Sequence, residues 1–421
     1  LFAGRLRGVV SLRHPDNQVV LLFRDFIRTH IFERFPLVVG IALGFSQCIL
    51  VAWGFAIVGG PGSIPVPWLF GSSLVLAVGN GMLMPRVGLA RPHGRIGAWL
   101  DQAYLASGFG AIVLAAGVVA VTLGFAIAVP LLAFAGMTAE AGLAVYRAAS
   151  IAAVACLGAA LAWGFRFGAR DIEVTRLLVP LPGLCERLRG LRVAHLSDLH
   201  IGNGTEAGRL VAIVAKTNAL APDLVVITGD LFDHDPRHLA AGAERLAGLR
   251  APLGVYAVLG NHDLMTGKEE VADALTRHAP ALRLLRDECV RVPADAPLYL
   301  IGIEDPGRDW TEHGHGLATI ERLAAAAPAD GPVVLLVHRP DAFSQAASLG
   351  IPLVLAGHFH GGQIAVPVGN GSWNVARLLT PYHRGLYQLD AATLYVSRGL
   401  GFAGPRVRFG SRPEIAVLEF V

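Results

Sequence analysis

Between residues 37 and 84 the chain has no aspartate, glutamate, lysine or arginine. Charge is scarce overall, at 16% of 421 positions against roughly 25% in ordinary soluble chains. With a mean hydropathy of +0.53, this deficit points to membrane segments rather than to one soluble globule. Cysteine is sparse too: Cys48, Cys156, Cys185 and Cys289 share no spacing. Cys48 and Cys156 fall in apolar runs, where a small buried thiol is at home. Neither a disulfide framework nor a zinc knuckle is expected from them. The net charge is only +3, and no basic stripe with interleaved aromatics occurs, which argues against a nucleic-acid surface.

What is present divides the chain in two, as its length allows. Spanning the hydrocarbon of a bilayer takes about 20 apolar residues in a helix. Residues 37–59, 66–84, 105–129 and 145–163 meet that requirement, the second with several glycines and two serines, and the third able to run past Pro130. Their few interior ionisable residues suit an anchor better than an ion or solute pathway. Arginines set the orientation. Arg5, Arg7, Arg13, Arg24, Arg28 and Arg34 precede the first span; Arg86, Arg91 and Arg95 follow the second; Arg166 and Arg170 follow the fourth. Four spans place all of them in the cytoplasm of a bacterial inner-membrane protein. The expected organisation is a cytoplasmic segment 1–36, a transmembrane region 37–165 of about four helices, a linker 166–190 and a cytoplasmic domain 191–421. The first apolar run begins too late and runs too long for a cleaved secretory signal.

The second half alternates short apolar runs with helical patterns. Runs at 192–197, 224–228, 255–259, 333–337 and 353–356 lead into SDLHIG, GDLFD, GNHD, HRPD and GHFHGGQ. Helical patterns lie at 206–220, 239–249 and 269–278. This is an α/β pattern. The polar residues repeatedly follow a strand's carboxyl end, where such sheets bind ligands.

The residues so placed are Asp198, His200, Asp230, Asn261, His262, His338, His358 and His360. Carboxylates and imidazoles without thiolates suit Mn, Fe or Zn. They are too many for one ion and about enough for two sharing a carboxylate. Such a pair, about 3.5–4 Å apart, clamps a phosphoryl group and activates water. In Asp-x-His and His-x-His, alternate residues of an extended segment point the same way, and the glycines allow close approach. Singly, each has a plainer role: Asp198 a helix cap, Asp230 a turn residue, His338 a buried core histidine. His195, inside a strand run, reads as core. Asp233 and Asp235 read as turn and cap residues, and His234, His313 and His315 as solvated loop histidines or parts of a lid. Arg398, Arg406 and Arg408 are open to either substrate phosphate or solvent.

The set DLH, GD, GNHD, a later His after an apolar strand, and GHFH resembles the calcineurin-like metallophosphoesterase superfamily. GHFHGGQ, HRPD, GIEDP (302–306) and VSRGLG (396–401) are similar to its bacterial branch of membrane-associated phosphodiesterases of the YaeI and YkuE type. With a four-span N-terminal half the chain also resembles transmembrane proteins with a metallophosphoesterase domain. The resemblance, covering residues 191–421, implies a sandwich of two sheets flanked by helices, here preceded by an all-α transmembrane region. It implies Asp198, His200 and His360 at one metal, Asp230 between the two, and Asn261, His338 and His358 at the other. His262 is then the group that assists the leaving oxygen. Asp263, where many relatives have glutamate, would orient it. Arg398, inside SRGLG, is the best of the arginines for substrate.

The expected activity is hydrolysis of phosphodiesters by metal-activated water, with two divalent ions, manganese first and iron or zinc next. The anchor favours lipid-borne substrates, a UDP-2,3-diacylglucosamine-type pyrophosphate being the specific alternative. A metal-binding sensor or transporter with a non-catalytic domain is the reading from another class, and the intact His262 argues against it.

Overall fold

The computed structural model describes residues 10–11, 35–59, 66–87, 95–203, 205, 207–307, 315–369 and 371–421. The N-terminal arginines, Arg91 and His313 lie outside them. The chain forms two compact units, one of residues 25–167 and one of the rest.

The first unit is helical: α1 (Phe35–Gly59), α2 (Val66–Val87), α3 (Arg95–Phe134) and α4 (Ala139–Phe167). Among the described residues three helices, α1, α3 and α4, are long and apolar enough to cross a membrane. The second, interrupted by glycines, serines and Asn80, falls short of that hydropathy. The third does run past Pro130. With no water to drive their association, such helices pack by close approach of small residues and by polar contacts. Gly117 leaves room for Leu157, whose Cδ1 would lie 2.3 Å from a Cβ there. Asn80 donates to Gln47 at 2.9 Å and accepts from Tyr104 at 3.2 Å, tying α1, α2 and α3 together.

In the second unit the described residues form two main sheets. The six-stranded sheet contains β2 (Glu173–Val179), β3 (Arg192–Leu196), β4 (Leu224–Thr228), β5 (Val255–Val258), β6 (Leu282–Leu284) and β15 (Glu414–Phe420), in the order β2-β15-β3-β4-β5-β6. The seven-stranded sheet contains β1 (Val10–Ser11), β7 (Glu288–Arg291), β8 (Tyr299–Gly302), β9 (Val333–Leu336), β10 (Leu353–Ala356), β13 (Gly385–Leu389) and β14 (Ala392–Val396), in the order β1-β13-β14-β10-β9-β8-β7. A hairpin, β11 (Val366–Val368) with β12 (Gly371–Trp373), stands apart.

Side-chain alternation sorts the residues of each strand between two faces. Val193, Leu224, Val226, Leu353 and Leu355 meet in a core between the sheets. Ala194, Leu196, Val225 and Ile227 turn the other way, against α5 (Ala207–Ala219), α6 (Leu239–Leu246) and α7 (Asn261–His278). Val354 and Ala356 face α8 (His315–Ala326) and α9 (Phe343–Ser348). Strands covered on both faces have no polar side, which is why LVVIT and VVLLV are continuous apolar runs. The expected sandwich of two sheets flanked by helices is the fold found.

Candidate metal centre

The site forms where five strands stop. From the six-stranded sheet, β3 runs into Asp198 and His200, β4 into Asp230, and β5 into Asn261 and His262. From the seven-stranded sheet, β9 runs into His338 and β10 into His358 and His360. These loops carry strained backbones. Asp198, His200, Asp230, His358 and His360 all have positive φ, between 45° and 77°, a region that side chains other than glycine rarely adopt. Such strain persists only where the surroundings enforce it. Packing is equally tight. A Cβ on Gly357 would lie 1.9 Å from Ser197 Oγ and 2.4 Å from Asp198 Oδ2, so GHFHGGQ needs its first glycine to seat the loop at all.

Two clusters of donors result. Asp198, His200 and His360 form one; Asp230, His338 and His358 form the other. Within each, one ligand atom per residue lies within 4.8 Å of the rest. His360 Nε2 is 3.4 Å from Asp198 Oδ1 and 3.1 Å from His200 Nε2. His338 Nε2 is 3.2 Å from His358 Nδ1 and 3.1 Å from Asn261 Oδ1. Asp230 stands between the clusters, its Oδ2 3.2 Å from His338 Nε2 and 3.5 Å from His200 Nε2.

The arrangement fits cations on chemical grounds. His338 Nδ1 donates to the Thr228 carbonyl at 2.9 Å, so in the neutral ring Nε2 presents a bare lone pair toward Asp230, Asn261 and His358. Buried ring nitrogens in pairs 3.1 and 3.2 Å apart, beside buried carboxylates, form a donor set that positive charge can hold together. Protons can supply it: burial alone would lower His338, but Asp230 raises it to about 10. His358 and His360 are held well below the usual imidazole range, chiefly by burial, and so stay neutral donors. Seven of the expected residues, Asp198, His200, Asp230, Asn261, His338, His358 and His360, thus come together.

The environment of His262 corrects one expectation. Asp263 does not touch its ring. That carboxylate accepts from the backbone N–H groups of Gly260, Leu231 and Phe232 at 2.9, 3.1 and 2.9 Å. At the third position of α7 the short side chain reaches back to cap the helix and pins the neighbouring loop. Asp233, expected to be a turn residue, is the partner of His262, with Oδ1 2.5 Å from Nδ1 and also 3.4 Å from His200 Nδ1. Asp235 caps a short helical turn as expected. Burial would lower His262, but Asp230 and Asp233 outweigh it and raise the ring to about 9. Burial alone would push Asp233 up, and its bonds to His200 and His262 overturn that and hold it far down. His200, Asp233 and His262 also form a third group that could hold an ion. The half-exposed His234 packs on His262, ring centroids 4.6 Å apart.

A second correction concerns Arg398. Its Nε and Nη2 donate to Glu414, and Nη1 to Glu173. Those glutamates face each other in register across β15 and β2, and the guanidinium is engaged in neutralising the pair. Arg408 is the arginine that reaches the centre. Fully buried, it donates to the carbonyls of Gly401, Arg398 and Ser411, and its Nη2 lies 3.2 Å behind His360 Nδ1. Arg339 donates to the buried Asp305 at 2.8 Å, which gives HRPD and GIEDP a shared structural task. His195 is a core histidine, bonded to Thr228 Oγ1 at 2.7 Å.

Comparison with known proteins gives the family. Residues 191–362 match the family described as Calcineurin-like phosphoesterase. Over 230 residues the chain is 31% identical to an uncharacterized metallophosphoesterase of Aquifex aeolicus, covering 54% of this chain and 84% of that one. The chain belongs to the calcineurin-like phosphoesterases. A second such phosphoesterase, the transmembrane protein with metallophosphoesterase domain of Danio rerio, is 35% identical over 261 residues, covering 60% of this chain. The chain spans 58% of that relative's length. UDP-2,3-diacylglucosamine pyrophosphatase LpxG of Chlamydia trachomatis is 26% identical over 321 residues, covering 61% of this chain and 92% of that one.

Proposed function

We propose that the chain is a membrane-anchored phosphoesterase with two divalent ions, cleaving phosphodiester or pyrophosphate bonds of lipid-borne substrates. The observation that carries this reading is Asp230, a buried carboxylate within 3.5 Å of a ring nitrogen in each of two donor clusters. Asp198, His200 and His360 would hold one ion, Asn261, His338 and His358 the other, with Asp230 common to both. A bound pair supplies charge for the phosphoryl oxygens and acidifies water for in-line attack.

The protein's own groups do the rest. Asp233 fixes the Nδ1 face of His262, which leaves Nε2 to give a proton to the departing oxygen. Asp233 also raises the affinity of that ring for protons, which favours the charged form that donates. Arg408 fixes His360 from behind. A donor set of nitrogen and oxygen suits manganese first, with iron and zinc next. The similarity to a lipid pyrophosphatase, together with the apolar helices of this chain, supports a lipid-linked substrate; with α2 crossing as a fourth span, the arginine distribution supports a cytoplasmic domain. Purified full-length protein supplied with Mn²⁺ should hydrolyse bis-p-nitrophenyl phosphate and bind about two ions per chain. Metal-loaded protein inert toward diesters, monoesters and pyrophosphates would favour a sensor or transporter instead.

A further inference from the structure

Among the described residues, the hairpin that follows GHFHGGQ has an apolar face without a partner. In its antiparallel register Val366 lies opposite Trp373 and Val368 opposite Gly371, so Val366, Val368 and Trp373 share one side. They are 48%, 60% and 50% exposed. Val375 and Leu378, just beyond β12, are comparably exposed at 57% and 44%. A water-soluble protein gains nothing by presenting two valines and a tryptophan together on a two-stranded ribbon.

Along the chain, the charge around the hairpin is one-sided. From residue 342 to residue 389 there is no aspartate or glutamate. Arg377 donates to the Ser372 carbonyl at 3.0 Å and is thereby fixed to the hairpin. Arg384 donates to the Ser372 hydroxyl and, at 3.3 Å, to the Gly410 carbonyl, two residues from the exposed Arg412. Among the described residues neither Arg377 nor Arg384 forms an ion pair. A tryptophan and small aliphatics with two arginines bonded to the same ribbon is a composition that settles at a bilayer interface: the indole at headgroup depth, the cations on anionic lipid.

The hairpin is also coupled to the centre. Gly362, two residues after His360, lies against Asn374, whose Cβ would be 2.6 Å from a Cβ at Gly362. Asn374 is 1% exposed and directly follows β12. Ala365 donates to the Phe409 carbonyl at 2.7 Å, which joins the hairpin's base to the segment of Arg408. Displacement of the hairpin therefore reaches His360 through two short paths.

We propose that the Val366–Val368–Trp373 face inserts into the headgroup layer of an anionic phospholipid bilayer and thereby presents the metal clusters to phosphate esters carried by lipids in that layer. This rests on the phosphoesterase reading and adds to it the surface that selects substrates. The test uses the full chain reconstituted into phosphatidylcholine vesicles with and without phosphatidylglycerol, the lipids brominated near the carboxyl end of their acyl chains. Subtracting the emission of Trp373→Phe from that of wild type isolates Trp373. Its emission is expected to be blue-shifted and quenched in the anionic vesicles, and less so in phosphatidylcholine alone or at high salt. Arg377→Ala should lower the docked fraction roughly fivefold where docking is weak.

A Trp373 signal that is neither shifted nor quenched would overturn the proposal. Disulfide trapping of Val368→Cys between two chains, with no quenching, would overturn it too, by assigning the face to a second copy. Hydrolysis of water-soluble bis-p-nitrophenyl phosphate, expected to be unchanged in Trp373→Phe, separates the two readings. Quenching without hydrolysis sinks the phosphoesterase and leaves the docking face; hydrolysis without quenching does the reverse.

Discussion

Replacing Asp230 by asparagine tests whether the two donor clusters are one centre. The isostere keeps Oδ1, which accepts from the His262 backbone N–H at 2.8 Å, so the turn should hold its shape. What disappears is a formal charge whose Oδ2 lies within 3.2 Å of His338 and 3.5 Å of His200. At 4 Å and an effective dielectric of 20, one pair of unit charges is worth about 4 kcal/mol. That corresponds to roughly three decades of affinity for each ion. Asp230→Asn should therefore lose both ions together on dialysis against a metal buffer that leaves wild type loaded. Asn261→Ala and Asp198→Asn should each empty one cluster preferentially. The assay is metal content per chain by mass spectrometry across a series of buffered Mn²⁺ concentrations, with circular dichroism to check the fold. Asp230→Asn that keeps two ions at wild-type affinity, or sheds one and holds the other unchanged, would refute the shared carboxylate.

Four other outcomes follow from the same geometry. His262→Ala should lower kcat on bis-p-nitrophenyl phosphate about 10²–10⁴-fold with the ions of the two main clusters retained, since the ring belongs to neither of them. Asp233→Asn should move the alkaline limb of the pH–rate profile to lower pH. Asp230 and Asp233 raise His262, its protonated form is the acid, and activity is lost as pH rises through the ionisation of that ring; without Asp233 the loss comes earlier. Gly357→Ala, whose new Cβ would sit 1.9 Å from Ser197 Oγ, should destabilise the domain by about 1–3 kcal/mol, read as a lower melting midpoint in detergent. Chelation of wild type should lower that midpoint as well, because ions that bind only the folded state stabilise it by mass action.

Much of the centre was legible because parallel strands covered on both faces make plain apolar runs, and whatever polar residue ends such a run stands out. That logic picked out Asp198, Asp230, His338 and His358, which the fold brings together. It misassigned Asp263 and Asp233 for one reason. Both follow a strand by several residues, and which carboxylate turns toward His262 depends on the path of the chain between them. Asp263 sits in the first turn of α7, where its backbone already fixes it as a cap. A helix was expected to begin at residue 269, whereas α7 begins at Asn261 and is interrupted by Gly267 at φ 114°; the expected start marks the second half of a kinked helix. Arg398 and Arg408 are ten residues apart in similar glycine-rich company. Only the register of Glu414 against Glu173, a pairing between distant strands, determines which arginine is consumed by carboxylates.

The deeper reason the centre is strained lies in how its ligands are shared out. Neither cluster belongs to one sheet. The first takes Asp198 and His200 from the six-stranded sheet and His360 from the seven-stranded one; the second takes Asp230 and Asn261 from the six-stranded sheet and His338 and His358 from the other. Each cluster therefore closes only when the core between the sheets is packed, and the left-handed conformations at five of these residues, of order 1–3 kcal/mol apiece, are sustained by that packing. Without cations, only protons shared among the buried rings and carboxylates hold the seam. With cations, the same seam becomes a cross-link between the sheets. Metal affinity and domain stability are thus two measures of one coupling, so a cavity cut into the core at Val226 or Leu355 should weaken metal binding without touching a ligand.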